Sequence, residues 1–240
     1  MPTRNNPLFA VLIDADNIPA KHAKVILKEI ATFGEPALRR VYGDWTNEHL
    51  KGWVEAVRTN GLVAHHETAN TKGKNASDIG LVIDAMDILH SERFDGFVLV
   101  SSDSDFTALA NRIREQGLQV IGIGEQKTPV SLRNVCNRFV FIENLTCEAS
   151  ATLDGCQIKA GRLAAKTATP LILQAMDKID QDDDWYTLSA LGVQLVAANS
   201  DFDSRTYGCK KLSELIGQIS EFKMRKVGSL YSVRHVGAVR

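Results

Sequence analysis

From residue 6 to about residue 145, apolar runs alternate with helical patterns. Leu8-Phe9-Ala10-Val11-Leu12-Ile13 is continuously apolar, as in a strand buried on both faces of a parallel sheet. Pro19 suits a first helical turn, the helical stretch reaches Thr32, and Gly34 stops it. Ala37–Tyr42 reads as a second strand. Asn47–Thr59 reads as a helix with Leu50, Trp53, Val54 and Val57 on one face, closed by Asn60-Gly61, and Leu62–His65 as a short strand. After a polar loop at Glu67–Ala76, Ser77 resembles an N-cap for a helix over Ser77–His90, whose buried stripe is expected at Ile79, Val82, Ile83, Met86 and Leu89. Phe97–Val100 is the central strand, Phe106–Gln116 a helix ended by Gly117, Val120–Ile123 a strand, and Arg138–Ile142 the last one. Strands separated by helices of this length imply right-handed crossovers and a parallel sheet with helices on both faces.

The pattern then changes. Thr146 to Thr169 is rich in Ala, Thr and Gly without strong periodicity, so it reads as a linker. Leu171–Ile179, Leu188–Ala197 and Leu212–Ile219 are helical, and Phe222–Val227 and Leu230–Val236 flank Gly228-Ser229, a two-residue hairpin signal. Three helices and a terminal hairpin describe a winged-helix-like α+β module. The expected organisation is an α/β domain at 6–145, a linker at 146–167 and the small module at 168–240.

Composition changes this picture little. An apolar share of 44% is enough to build cores without staples, and a formal net charge of −1 means that local rather than whole-molecule charge must indicate any nucleic-acid partner. Cys136, Cys147, Cys156 and Cys209 match no zinc or redox spacing and read as free thiols of a reducing compartment. No signal-peptide core and no apolar run of the roughly 18–20 residues of a membrane span is visible, so a cytoplasmic location is expected.

The chemistry lies at strand ends. Ile13 is followed by Asp14-Ala15-Asp16-Asn17, and Val100 by Ser101-Ser102-Asp103-Ser104-Asp105. In a parallel sheet all strand C-termini share one edge, the edge where ligands bind. Carboxylates gathered there repel, by about 4 kcal/mol per pair at ~4 Å and an effective dielectric of ~20. A proton or a hard cation such as Mg²⁺ or Mn²⁺ relieves that repulsion. Asp14 reads as functional. The plainer reading of Asp16 is a cap for the following helix, and one of Asp103 and Asp105 is expected to act while Asp103 or Ser104 caps the next helix. The hydroxyls around them, Ser102 among them, can donate to phosphate or to water. Asp78 lies in the first turn of its helix, which a crossover places on the ligand edge. Asp84 and Asp87 fall off the apolar stripe and read as solvent-facing acids. Lys72 and Lys74 read either as a solvated turn or as a phosphate contact, and His65 and His66 are weak candidates for a hard ion.

Three motifs in order, Ile13-Asp14-Ala15-Asp16-Asn17-Ile18, Lys74 to Ala85, and Leu99 to Phe106, resemble the NYN domain family, LabA-like branch, of the PIN-like nucleases. The resemblance covers roughly residues 6–145. It implies a PIN-like three-layer α/β/α fold and a metal-dependent ribonuclease site, with the family's acids falling on Asp14, Asp78, Asp103 and Asp105 and with Asn17 in support. Asp84 also matches a recurrent family acid, and Ser101-Ser102 stands where many relatives carry Ser-Gly. The C-terminal module is similar to an OST-HTH/LOTUS domain through Trp185 to Gly192, Phe202 to Leu212 and the Phe222–Arg234 hairpin. That likeness implies RNA binding or docking of a protein partner, and Lys210, Lys211, Lys223, Arg225, Lys226 and Arg234 give this half its local positive charge. The expected function is a metal-dependent endoribonuclease acting on single-stranded or looped RNA with Mg²⁺ or Mn²⁺. The alternatives are a non-catalytic RNA-binding or adaptor protein with a vestigial metal site and, more weakly, an Asp-x-Asp phosphatase using Asp14 and Asp16.

Overall fold

The strand β1 (Leu8–Asp14) supplies two cores at once. Phe9, Val11 and Ile13 face one side of the sheet, Ala10 and Leu12 the other, and all five are buried. That is why its apolar run is continuous rather than alternating. A computed structural model describes residues 6–66, 76–150, 163–181, 183–228 and 230–237, with backbone alone at 76 and 147–150. The chain divides into two compact units, Met1–Thr152 and Leu153–Arg240.

In the first unit β1 is followed by α1 (Ala23–Ile30), β2 (Glu35–Gly43), α2 (Lys51–Asn60), β3 (Val63–His66), α3 (Ala76–His90) and β4 (Gly96–Val100). Next come α4 (Thr107–Glu115), β5 (Gln119–Gly124), α5 (Val130–Val135), β6 (Arg138–Phe141) and α6 (Ile142–Ser150). The six strands are all parallel, in the order β3-β2-β1-β4-β5-β6. The order reverses between β1 and β4, and ligands of open α/β sheets bind in the crevice at such a switch point. Ile26 and Ile30 of α1, Trp53 of α2 and Leu145 of α6 fill one core, and Leu81 and Ala85 of α3, Ile113 of α4 and Leu132 of α5 fill the other. The layers are those of a PIN-like α/β fold. Pro36 of β2 stands opposite Phe9, where the β1–β2 register shifts, an irregularity suited to a residue without an N–H. The last helix of this unit runs to Ser150, into the stretch whose composition reads as linker.

Two expectations about helix faces need correction. On α3 the buried positions are Leu81, Ala85, Ile88 and Leu89, whereas Ile79 and Ile83 are about 60% exposed. The stripe is turned by roughly a third of a revolution, at about 100° per residue, from the one the periodicity suggests. The helix is apolar nearly all round, so the pattern does not choose a face, and a polar contact does. Asp84 accepts hydrogen bonds from the Arg40 guanidinium and the Tyr42 hydroxyl of β2, so it is a tie to the sheet and not a solvent-facing acid. Burial, together with the hydrogen bond and charge of Asp84, pushes the Tyr42 hydroxyl above the ordinary phenol range. Asp87 is exposed. On α2, Trp53 is buried but Val54 is 51% exposed. Ser77 lies inside the first turn of α3, and its hydroxyl donates to Asp16 rather than capping the helix.

The second unit contains α7 (Thr169–Asp177), β7 (Tyr186–Thr187), α8 (Leu188–Ala198), α9 (Leu212–Gly217), β8 (Phe222–Val227) and β9 (Leu230–His235). Its antiparallel sheet has the order β7-β9-β8. Gly228, at φ +62°, makes the hairpin turn in the left-handed region that glycine enters without strain. Ile172, Met176, Leu191, Leu195, Leu215, Ile216 and Val233 form the core. Asp203 caps the single 3-10 turn Ser204–Tyr207 and accepts from the Arg205 guanidinium, which explains the polar Asp203-Ser204-Arg205 run beside Phe202. Cys136 and Cys209 are buried, and burial pushes the Cys136 thiol up to about 12. The side chains of Cys147 and Cys156 lie outside the described residues. Among the described residues no helix is long and apolar enough to cross a membrane.

Replacing Asp84 by Ala removes the shared acceptor of Arg40 and Tyr42. Leaving two half-buried donors unsatisfied is expected to lower the unfolding free energy by about 2 kcal/mol. Asp87→Ala, on the exposed side of the same helix, should change it by less than about 0.5 kcal/mol. Urea denaturation of the two variants checks this.

Candidate active site at the switch point

Asp14 is the last residue of β1 and is only 3% exposed. Three hydrogen bonds fix the turn that begins at it. The Ala15 N–H donates to Tyr42 O at 2.8 Å, the Ile18 N–H donates to Asp14 O at 3.1 Å, and the Trp53 indole N–H donates to Ile18 O at 2.8 Å. The turn after β1 is therefore pinned to β2 and α2 before its side chains do any chemistry. The carboxylate accepts from the Ser101 hydroxyl at 2.8 Å through Oδ2 and from the Asn17 N–H at 3.2 Å through Oδ1.

β4 delivers the second half. Ser101 Oγ donates to Asp14 and accepts the Asp103 N–H at 3.0 Å, so a single hydroxyl joins the two strand ends. The Ser102 N–H donates to Asn17 Oδ1 at 3.2 Å, and Ser102 Oγ accepts the Glu125 N–H at 2.8 Å. Asn17 and Ser102 thus tie the β1, β4 and β5 ends together. Asp103 caps the 3-10 turn Ser104–Phe106 by accepting the Asp105 N–H at 2.9 Å. Asp78 enters from the first turn of α3, and Asp16 accepts the Ser77 hydroxyl at 2.8 Å from that same turn.

These acids share one field. Burial drives the Asp14 carboxyl up to about 7; the Ser101 and Asn17 hydrogen bonds oppose this, and the negative charges of Asp78 and Asp16 add to it. Asp78 is likewise raised, by burial first and then by Asp103, Asp16 and Asp105. Asp78 is thus within electrostatic reach of Asp14, Asp16, Asp103 and Asp105, and Asp14 of Asp78 and Asp16. Asp84 is not among them; it serves α3 and β2. His65 packs its ring 5.2 Å from that of Tyr42, and its carbonyl accepts the Trp45 indole N–H, so it has a structural partner. Lys72 and Lys74 lie outside the described residues.

The donor set suits a hard divalent cation, since the site brings carboxylates together with hydroxyl and amide oxygens, and among the described residues no base offsets the charge of Asp14 or Asp78. Among the described residues, however, no three His, Cys, Asp or Glu groups stand together as a ready-made metal-ligand set. The residues fit such an ion in ligand chemistry and in charge.

Two contributors escape the pattern of acids. Ser101, not its neighbour, donates to Asp14. Gly124, at the end of β5, lies so close to β4 that a Cβ there would stand 2.6 Å from the Ser101 carbonyl oxygen. A glycine ending a buried strand beside an acidic strand end is the signal that could have flagged it.

A carboxyl whose folded pKa is raised makes the native state bind more protons than the unfolded chain, so stability falls as pH rises from the ordinary carboxylate range through about 7. Asp14→Asn removes the buried charge and keeps the shape. The variant should melt a few degrees above the native protein at pH 8, and the gap should close by pH 5. Thermal unfolding across that range, in EDTA, is the measurement.

Comparison with known proteins agrees with this architecture. The NYN domain family model matches residues 9–143, and the OST-HTH/LOTUS domain model matches residues 163–229. An uncharacterized protein of Methanocaldococcus jannaschii is 26% identical over 140 residues, 56% of this chain and 55% of its own length, so the chain spans about half of that relative. The crystal structure of a protein of unknown function from Vibrio parahaemolyticus covers 59% of this chain and 96% of its own, with 22% identity and a TM-score of 0.49. The chain belongs to the NYN domain family, nucleases of the PIN-like superfamily, and carries a C-terminal OST-HTH/LOTUS domain, a kind that binds RNA.

Proposed function

We propose that the first unit is a metal-dependent endoribonuclease acting on single-stranded or looped RNA, with Asp14, Asp78, Asp103 and Asp105 holding Mg²⁺ or Mn²⁺. The observation that carries this reading is the gathering of acids from the end of β1, the start of α3 and the end of β4, where the charges of Asp78 and Asp16 add to the burial that raises Asp14, and those of Asp103, Asp16 and Asp105 add to the burial that raises Asp78. Structural acids are normally placed beside bases. Here negative charge is concentrated at a ligand-binding crevice at a cost in stability, which is expected of a functional site.

A divalent cation, when bound, neutralises charge on the scissile phosphate and makes a water acidic enough to attack near neutral pH. The chain's own residues do the rest. Ser101 and Asn17 orient the Asp14 carboxylate so that it keeps one geometry in the buried pocket. Asn17, through its bond from the Ser102 N–H, and Ser102, through its bond from the Glu125 N–H, fix the distance between strand ends. Asp16 steadies the start of α3 through Ser77 and thereby the position of Asp78. In-line attack of water on phosphorus breaks the bond to the 3′-oxygen, leaving a 3′-hydroxyl and a 5′-phosphate. An accessible, unpaired backbone is the substrate suited to a crevice at a sheet edge. The proposed organisation keeps the boundaries drawn from the sequence, with Lys72 and Lys74 as RNA contacts of the first unit and Lys210, Lys211, Arg225 and Lys226 as RNA contacts of the second. A cytoplasmic location belongs to the same proposal.

A second reading is supported by the absence, among the described residues, of three groups already set to chelate. In it the protein binds RNA without cutting it, and the acids are the remains of a metal site.

Purified full-length protein with labelled single-stranded RNA separates the two. Cleavage with Mn²⁺, abolished by EDTA and reduced roughly a hundred-fold or more in Asp14→Asn and in Asp103→Asn, is the expected outcome. Cleavage retained in both variants overturns the assignment, and binding without EDTA-sensitive cleavage establishes the second reading. An independent readout is thermal stability. Mn²⁺ at saturating concentration should raise the melting temperature of the native protein, and Asp78→Asn should lose most of that increment.

A further inference from the structure

The outward face of the small sheet carries one aromatic ring and three cations. Side chains alternate along β8: Phe222 is buried and Met224 faces the core, whereas Lys223 and Arg225 are exposed. Arg234 of β9 stands directly opposite Lys223, and Val233, its neighbour, is in the core, so Arg234 shares the outer face. Tyr186 of β7 packs into the core, which leaves Trp185 before it on the outer side. The contacts agree. The Arg225 guanidinium lies 4.1 Å from the centre of the Trp185 ring and that of Arg234 5.1 Å from it. One indole therefore gathers cations from both other strands of the sheet.

As a device for stability this is a poor bargain. A cation–π contact at an exposed site contributes about 0.5–1 kcal/mol, and two like charges at one ring repel. The carboxylate nearest Arg225, Asp183, is 3.8 Å away and mostly exposed, and Arg234 Nε is buried with no hydrogen-bond partner. Among the described residues Lys223 has no salt bridge. A guanidinium held flat on an indole also offers its other plane, and the Arg225 side chain is 45% exposed.

Resting on the RNA-binding reading of this module, we infer that the outer face of the β7-β9-β8 sheet is a stacking platform for an unpaired RNA base. The base lies on the Arg225–Trp185 stack, and the flanking phosphates meet Arg234 and Lys223. Bases of single strands stack on aromatic rings and on arginine planes, whereas those of a duplex are already stacked and paired. The platform is thus selective for single strands.

The test is fluorescence anisotropy of the full chain, in EDTA, with a labelled 12-nucleotide single-stranded RNA of non-self-complementary sequence. Trp185→Ala should weaken binding about ten-fold with the salt dependence unchanged, since stacking releases no counterions. The double variant Lys223→Ala/Arg234→Ala should weaken it as well and lower the salt slope by about 1.4, at ~0.7 per phosphate contact. Trp185→Phe, which keeps a ring, should lose only about two- to three-fold and guards against a folding defect in the alanine variant. Native and variant affinities that agree, in proteins with matching melting temperatures, overturn the platform while leaving RNA binding by the chain intact. Equal affinity for a duplex of the same length reduces the face to a charged surface and also overturns it. A native chain that binds no RNA at all removes the underlying reading instead, and a failure of Asp14→Asn to cleave bears on neither, because no arm of this experiment needs cleavage.

Discussion

A buried carboxylate at the end of the central strand governs the first unit. Asp14 comes directly after a run that fills both cores, so its position cannot slip by one residue without moving Phe9, Val11 and Ile13 to the wrong face. Burial there makes the charge costly, and the surroundings reduce that cost only in part, with one hydroxyl and one backbone N–H. The hydroxyl, of Ser101, is itself a link between the β1 and β4 ends, and Asn17, which supplies the N–H, makes a second link by accepting the Ser102 N–H at its side chain. The geometry of the crevice and the awkwardness of its charge thus have a common origin: the strand that must be most deeply buried is the one that ends in an acid.

What was legible in the sequence followed from local rules. A continuous apolar run can only be a strand covered on both faces, and an acid following such a run can only sit at the ligand edge, so Asp14 and the Asp103–Asp105 pair were readable from β1 and β4 alone. The hairpin at Gly228 was readable because a two-residue turn has a strong local signal. What failed was what depends on distant partners. The rotation of α3 is set by Asp84 meeting Arg40 and Tyr42, forty residues away in sequence, and a helix apolar on most sides gives no periodicity from which to infer it. The difference between Ser101 and Ser102 was equally hidden, since both are hydroxyls at a strand end and only the pleat decides which meets Asp14. The strand β7 is two residues long, too short for any alternation to register, and exists only because β9 is there to pair with it.

The two units handle charge in opposite ways. The first gathers carboxylates at one edge. The second gathers guanidinium and ammonium groups on one sheet face. A formal net charge of −1 conceals both, because the sum cancels while the local fields do not. At physiological salt a charge is felt over about 8 Å, so each surface acts on what touches it.

That separation bears on how a nuclease site of this kind could obtain substrate. Clustered carboxylates repel a phosphate backbone until a cation lies between them, so such a crevice is a weak collector of RNA by itself. A chain with almost no net charge also has no long-range attraction to offer. Attaching a cationic, aromatic surface to the same polypeptide solves the problem by concentration. A strand held on one module is presented to any other site of the chain at the millimolar effective concentrations typical of short tethers, provided the tether can span the distance. Under the proposed function, affinity and chemistry can then be tuned apart: the acids are free to be chosen for what they do to a phosphate, and the indole and arginines for how long the strand stays.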